Sequence, residues 1–95
     1  MRTYTYILEC SDKTLYTGWS IGVLERLRCH NLGKGAKYTR ARRPCKLVYV
    51  EFHTSKHDAM VRECAIKKLS REEKLQLIDS NTNMINKLEG LSKCQ

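Results

Sequence analysis

Apolar and polar side chains alternate from Thr3 to Cys10. Tyr4, Tyr6, Leu8 and Cys10 fall on one side, Thr5, Ile7 and Glu9 on the other. A period of two in β-branched and aromatic residues predicts a strand. Ser11-Asp12-Lys13 carries a turn signal, and Leu15 to Trp19 reads as the returning strand of a hairpin. With a three-residue loop, Cys10 opposes Thr14, Leu8 opposes Tyr16 and Tyr6 opposes Gly18. Tyr6 and Tyr16 then become diagonal neighbours on one face, roughly 7–8 Å apart. A slip of one residue would send them to opposite faces. Gly18 has two readings in that register: it relieves crowding at a strand end, or it leaves room for a ligand.

The period changes after Trp19. Val23, Leu24 and Leu27 form the apolar stripe of a helix expected over Ile21 to Leu32, with Ser20 as its cap and Gly33 as a left-handed stop. Arg26 and His30, spaced i and i+4, project from one face of it. Gly33 to Pro44 reads as a loop. Lys46 to Phe52 is an apolar strand, expected at the centre of the sheet. Ser55, with Asp58 three residues on, caps a helix over Ala59 to Leu69, and Ser70 with Glu73 forms a second capping box that restarts a helix through Ile78. The segment from Asp79 to Gln95 is polar. Met84, Ile85, Leu88 and Leu91 are spaced for a short accessory helix. The expected organisation is one domain over residues 1–80 followed by a tail over 81–95, in an α+β fold.

Charge sharpens this picture. The 95-residue chain carries a net charge of +8, with a pI of 9.4. Between Ile21 and Lys46 there are eight basic residues and one acid, Glu25, so nearly all of the excess sits in one block. Lys34, Lys37, Arg40, Arg42 and Arg43 crowd into a single loop, where mutual repulsion favours a polyanionic partner. Their side chains suit phosphate contacts, and Tyr38 among them suits stacking on a base. No apolar run approaches the ~20 residues of a membrane span, and no signal-peptide pattern is present. A cytoplasmic protein without membrane contact is expected. The five cysteines (Cys10, Cys29, Cys45, Cys64 and Cys94) form no Cys-x-x-Cys pair and are expected as reduced thiols.

Carboxylates are scarce where the basic residues are dense. The several converging acids of a two-metal nuclease are missing, but one hard ion held largely by water needs only one or two protein ligands. Glu63 is the best single candidate, beside apolar Met60, Val61, Ala65 and Ile66. Its alternative is an ordinary ion pair with Lys67 at i+4. A tyrosine titrating near pH ~10 is a poor base at neutrality, and positive charge from a cation or from Arg26 would favour the phenolate. These residues fit a tyrosine-assisted, single-metal phosphodiester hydrolase. They also fit a basic binding domain without chemistry.

Tyr4-Thr5-Tyr6, Tyr16-Thr17-Gly18, Arg26, His30 and Glu63, in this order, resemble the GIY-YIG nuclease superfamily. The runs Tyr-Ile-Leu-x-Cys, Leu-Tyr-Thr-Gly, Gly-Lys-Gly-Ala-Lys-Tyr-Thr-Arg, Arg-Arg-Pro, Lys-Leu-Val-Tyr and Ile-Lys-Lys-Leu-Ser-Arg are similar to its small single-domain, YhbQ-like UPF0213 branch, over residues 3 to 79. The resemblance implies a three-stranded antiparallel sheet flanked by helices, and metal-dependent endonuclease chemistry on nucleic acid, DNA rather than RNA. Repair or recombination intermediates are candidate substrates. Tyr6 and Tyr16 would correspond to the motif tyrosines, one as general base and one positioning phosphate or water. Arg26 would stabilise charge on the phosphate, His30 would orient phosphate or a tyrosine hydroxyl, and Glu63 would hold one divalent ion, Mg²⁺ or Mn²⁺. Gly18 would be structural at the site. The alternative is a non-catalytic or partner-dependent nucleic-acid-binding module, with a protein partner supplying specificity. The chain departs from the family at Tyr4-Thr5, Gly22 and Trp19.

Overall fold

A computed structural model describes residues 2–88. Three strands, β1 (Thr3–Glu9), β2 (Leu15–Ser20) and β3 (Lys46–His53), form an antiparallel sheet in the order β2-β1-β3. The helices are α1 (Val23–Asn31), α2 (Lys37–Arg40), α3 (Lys56–Lys67) and α4 (Arg71–Ile78), followed by a 3₁₀ turn over Ile85–Leu88. Among the described residues no helix is long and apolar enough to cross a membrane.

The hairpin closes in the expected register. Leu8 faces Tyr16 and Tyr6 faces Gly18, and the Cys10 N–H donates to the Thr14 carbonyl at 2.9 Å. β1 is therefore split cleanly between two cores. Tyr6, Leu8 and Cys10 pack with Val50 of β3 and with Val23 and Leu27 of α1. On the opposite face Ile7 packs with Tyr49 and with Ile66 of α3, joined by Leu69, Leu77 and Ile78. A bulge in β3 opposite Ile7 and Leu8 lets both Val48 and Tyr49 join this second core.

The central strand is β1, not β3 as its apolar run suggested. β3 is an edge whose outer side is covered by the chain after α4 rather than by another strand. The Asn83 side chain donates to the carbonyls of Val48 (2.9 Å) and Ile78 (2.8 Å). It also accepts from the Val50 N–H at 3.3 Å, while the Met84 N–H donates to the Val50 carbonyl at 2.8 Å. A covered edge need not be polar, because its backbone groups are satisfied without exposure. Met84 and Ile85 then pack against the first core. Part of the expected accessory helix is thus present as the 3₁₀ turn; Leu91 and Cys94 lie outside the described residues.

Two helix starts differ from expectation. Ser20 ends β2 and its Oγ accepts from the Gly22 N–H at 3.0 Å, while Gly22 itself stands at the N-cap of α1 without a side-chain cap. The strand continues one residue further than the hydrophobic pattern indicated, and so consumes the expected cap. The basic loop also contains a helical turn, α2, too short to show a period. The other signals hold. Ser55 Oγ accepts from Asp58 N–H, Ser70 and Glu73 form both halves of a capping box, and Gly33 adopts φ +81°.

α3 is fastened to the sheet by buried polar groups that the pattern did not reveal. Thr5 Oγ1 donates to the Ala59 carbonyl at 2.9 Å and Thr3 Oγ1 to that of Ser55 at 2.8 Å. Glu51 is buried and accepts from Tyr49, from Arg62 Nε of α3 at 2.7 Å and lies 3.0 Å from His53 Nε2. A buried carboxylate requires such partners. Cys10, Cys29, Cys45 and Cys64 are free thiols.

Asn83→Ala should destabilise the fold, because it strips partners from part-buried backbone groups of Val48 and Val50 in β3. A loss of about 2 kcal/mol is expected, read as a lower urea midpoint at unchanged slope. An unaltered midpoint would mean that Asn83 does not hold this edge.

Candidate active site

The hairpin register and the first turns of α1 bring five of the expected residues to one cleft. Tyr6, Tyr16, Arg26, His30 and Glu63 line a depression of about 370 Å³, together with Gly18, Trp19 and the Lys34–Ala36 backbone segment. Tyr6 and Tyr16 come from adjacent strands on the same sheet face. Arg26 and His30 lie one turn apart on α1, His30 buried and Arg26 exposed. Glu63 reaches the cleft from α3, and at 18% side-chain exposure it is half-sunk.

The centre of the cleft is a contact between Tyr6 and His30. The Tyr6 hydroxyl lies 3.2 Å from His30 Nε2. On the other side of the imidazole, Nδ1 is 2.7 Å from Thr39 Oγ1, and Thr39 donates to the Ala36 carbonyl at 3.0 Å. Tyr6, His30 and Thr39 are all buried. Two glycines permit this packing. A Cβ on Gly18 would fall 2.7 Å from the Tyr6 hydroxyl oxygen, and one on Gly35 would fall 2.3 Å from His30 Nδ1. Gly18 therefore makes room for Tyr6, and it also lines the cleft.

Burial sets the protonation of this pair. The Tyr6 phenol is pushed well above its ordinary value, first by desolvation and next by Tyr16, and Arg26 opposes this without reversing it. Arg26 does favour the phenolate, as expected, but its effect is smaller than that of desolvation and of Tyr16, so the phenol stays raised. His30 is held below the ordinary histidine value, first by burial and then by the neighbouring Arg26 charge. A neutral phenol beside a neutral imidazole is the stable pair at neutrality.

Around this pair the aromatic rings form a stack. Tyr16 meets His30 edge-on with centroids 5.3 Å apart and lies against Tyr38 at 5.9 Å and 27°. The Arg42 guanidinium covers the Tyr38 ring at 4.0 Å from its centroid. Arg42 also donates to Asp12 at 3.0 Å and to the Tyr38 carbonyl at 2.9 Å, and Arg43 Nε donates to the Arg40 carbonyl at 3.0 Å. These two arginines brace the loop. Lys34, Lys37 and Arg40 lie on the outside of the segment, Lys34 at the cleft itself.

Glu63 makes the ion pair with Lys67 at 3.4 Å that its spacing offers, and it also lines the cleft. Among the described residues no group of three or more His, Cys, Asp or Glu side chains converges as a metal cage. One carboxylate open to water fits a hard divalent ion that retains most of its water shell, and does not fit zinc. Thr39 and Gly35 pack against His30, a contact that the reading of their run as a basic loop does not anticipate. A threonine inside a basic run gives no local sign that it is buried, and the Gly-Lys-Gly spacing of Gly33 and Gly35 is the only hint of close packing.

The GIY-YIG catalytic domain matches residues 2–76. The chain is 59% identical over 81 residues to a UPF0213 protein of Syntrophus aciditrophicus, covering 84% of this chain and 93% of that one. It is 56% identical over 79 residues to a UPF0213 protein of Clostridium perfringens, covering 83% and 85%. A UPF0213 protein of Bacillus halodurans, solved by solution NMR, superposes with a TM-score of 0.56 at 45% identity over 90% of each chain. A protein of E. faecalis, also solved by NMR, gives 0.58 at 36% identity over 83% of this chain and 84% of that one. With three-quarters of its length matched by the family and its sheet shared with these structures, the chain belongs to the GIY-YIG family, in the UPF0213 branch.

Proposed function

We propose that this protein is a divalent-metal-dependent endonuclease that hydrolyses phosphodiester bonds in DNA. The observation that carries this is the convergence of Tyr6, Tyr16, Arg26, His30 and Glu63 on one cleft beside the outward cations Lys34, Lys37 and Arg40.

A raised phenol pKa makes Tyr6 a poor base by itself, and its contact with His30 supplies what it lacks. As an attacking water gives its proton to the Tyr6 oxygen, the Tyr6 hydroxyl proton passes to His30 Nε2. The water oxygen bonds to phosphorus as the P–O bond to the departing strand breaks; the departing oxygen takes a proton from solvent, the imidazolium returns one to solvent, and Tyr6 ends unchanged. Arg26 meets the charge that grows on the phosphate oxygens, usually the largest single contribution to such catalysis. Tyr16, fixed between His30 and Tyr38, orients a non-bridging oxygen. Glu63 would hold the divalent ion, whose chemistry is charge neutralisation at the phosphate and the leaving oxygen. Lys34, Lys37 and Arg40 carry the backbone contacts, while Arg42, Arg43 and Tyr38 shape the loop that presents them. The alternative, a binding module without turnover, draws its support from the single carboxylate of the cleft.

Duplex, flapped, branched and single-stranded DNA, with RNA beside them, should be offered in Mg²⁺, Mn²⁺ and EDTA. Cleavage of one or more DNA forms in either metal is expected, abolished by EDTA and reduced at least about a hundredfold by Arg26→Ala or by Glu63→Gln. Cutting that survives EDTA or Glu63→Gln would remove the metal from the account. Binding without cutting would leave the alternative.

The pH profile has a definite sign. His30 must be neutral to take the Tyr6 proton, and its pKa lies below the ordinary 6.5. kcat/KM should therefore rise with pH on the acid side with a midpoint below 6.5, then level off. A midpoint at or above that value would contradict a His30 held below its ordinary range by burial, and an acid limb unchanged in His30→Gln would exclude His30 as the acceptor.

A further inference from the structure

We propose that Thr39 is a positioning residue that fixes the tautomer of His30, so that the bare nitrogen faces Tyr6. This deepens the nuclease reading and rests on it for its consequence in cleavage, though not for the tautomer itself.

A threonine hydroxyl has one proton to give and two lone pairs. Thr39 Oγ1 stands within hydrogen-bond distance of two groups, the Ala36 carbonyl at 3.0 Å, which can only accept, and His30 Nδ1 at 2.7 Å, which can do either. The arrangement that uses both contacts gives the Thr39 proton to the carbonyl and lets the Thr39 oxygen accept from Nδ1. In that arrangement Nδ1 carries the hydrogen. In the neutral imidazole this leaves Nε2 as the acceptor, 3.2 Å from the Tyr6 hydroxyl. The order of donation runs Tyr6 to His30, His30 to Thr39, and Thr39 to the backbone of Ala36. Reversing the tautomer would turn Nε2–H toward Tyr6, and His30 could no longer receive its proton.

The surroundings make this order hard to escape. Thr39 is fully buried and His30 nearly so, so water is not at hand to replace either partner. Gly35 brings its backbone against the imidazole, with a notional Cβ only 2.3 Å from Nδ1 and 2.8 Å from Cγ. The imidazole packs directly against a backbone that only a glycine allows so close. The groups facing His30 from neighbouring elements are Tyr6 and Tyr16 from the sheet, Arg26 from its own helix, and Thr39 from α2. None of them offers Nδ1 a second acceptor. Gly35, Ala36 and Thr39 therefore form a clamp on one imidazole, inside a segment whose charge alone suggested a phosphate track.

The test compares wild type, Thr39→Val and Thr39→Ser. Two-bond ¹⁵N–¹H correlation spectra report which His30 nitrogen carries the proton, with His53 and His57 as internal references, and single-turnover cleavage reports the consequence. Wild type and Thr39→Ser should show a protonated Nδ1 and a bare Nε2, with cleavage rates within about threefold of each other. Thr39→Val keeps shape and burial but removes the acceptor. Its His30 should move toward the Nε2–H tautomer, and kcat should fall about 10–100-fold, as for partners that orient functional histidines elsewhere, with KM unchanged. A wild-type His30 protonated at Nε2, or a Thr39→Val protein that keeps the Nδ1–H tautomer, would overturn the proposal. So would a Thr39→Ser protein as impaired as Thr39→Val, because only packing would then be at stake. If wild type has the expected tautomer, loses it in Thr39→Val, and yet cuts nothing, the clamp stands and the nuclease reading fails.

Discussion

A phenol and an imidazole, both buried and both neutral, meet at 3.2 Å between Tyr6 and His30. Much of the domain can be understood as what this contact demands. The phenol must be on the inner face of the hairpin, which fixes the register of β1 against β2. It needs a strand partner without a side chain, which is Gly18. The imidazole must come from the inward stripe of α1, one turn beyond Arg26. It also needs a cover that excludes water, and Gly35 to Thr39 supply it. Burial then prevents either group from ionising cheaply, and the proposed chemistry passes a proton between them instead of storing charge on one.

The segment between Gly33 and Pro44 has two physical jobs that compete for the same residues. Its charge suits the polyanion of the proposed function, and its backbone, threonine and aromatic ring hold the proposed catalytic pair. The structure separates the two by side chain. Arg42 and Arg43 satisfy carbonyls of the segment, and Arg42 also Asp12 of the hairpin turn; Tyr38 is sandwiched into the aromatic stack, while Lys34, Lys37 and Arg40 face outward. Binding nucleic acid at the outward cations therefore need not disturb the positions of His30 and Tyr16. Glu63 is positioned by α3, through the threonine contacts that pin the start of that helix and the Arg62–Glu51 pair at its middle.

What can be read from the sequence is what local rules govern. The hairpin register, the caps at Ser55 and Ser70 and the left-handed Gly33 depend on a few neighbouring residues, and all stand as expected. The same register and the i, i+4 spacing of Arg26 and His30 are enough to anticipate most of the cleft. The departures have tertiary causes. An edge strand covered by Asn83 looks, in sequence, like a strand flanked on both sides, which is why β3 reads as central. α2 is a single turn, below the length at which a period exists. Thr39 and Glu51 are polar residues whose burial depends on tertiary partners, for Glu51 on Arg62 eleven residues on and for Thr39 on a turn that leaves no trace in the hydrophobic pattern. The protonation of Tyr6 is hidden for a related reason: charge is visible in sequence and desolvation is not.

The most direct measurement is a double-mutant cycle in single-turnover cleavage, with Tyr6→Phe, His30→Gln and the combined variant. If the two residues act as one proton-accepting unit, either substitution alone removes the function and the second costs little more, within about threefold. Losses that multiply would show that Tyr6 and His30 act independently, and would contradict the central role of their contact.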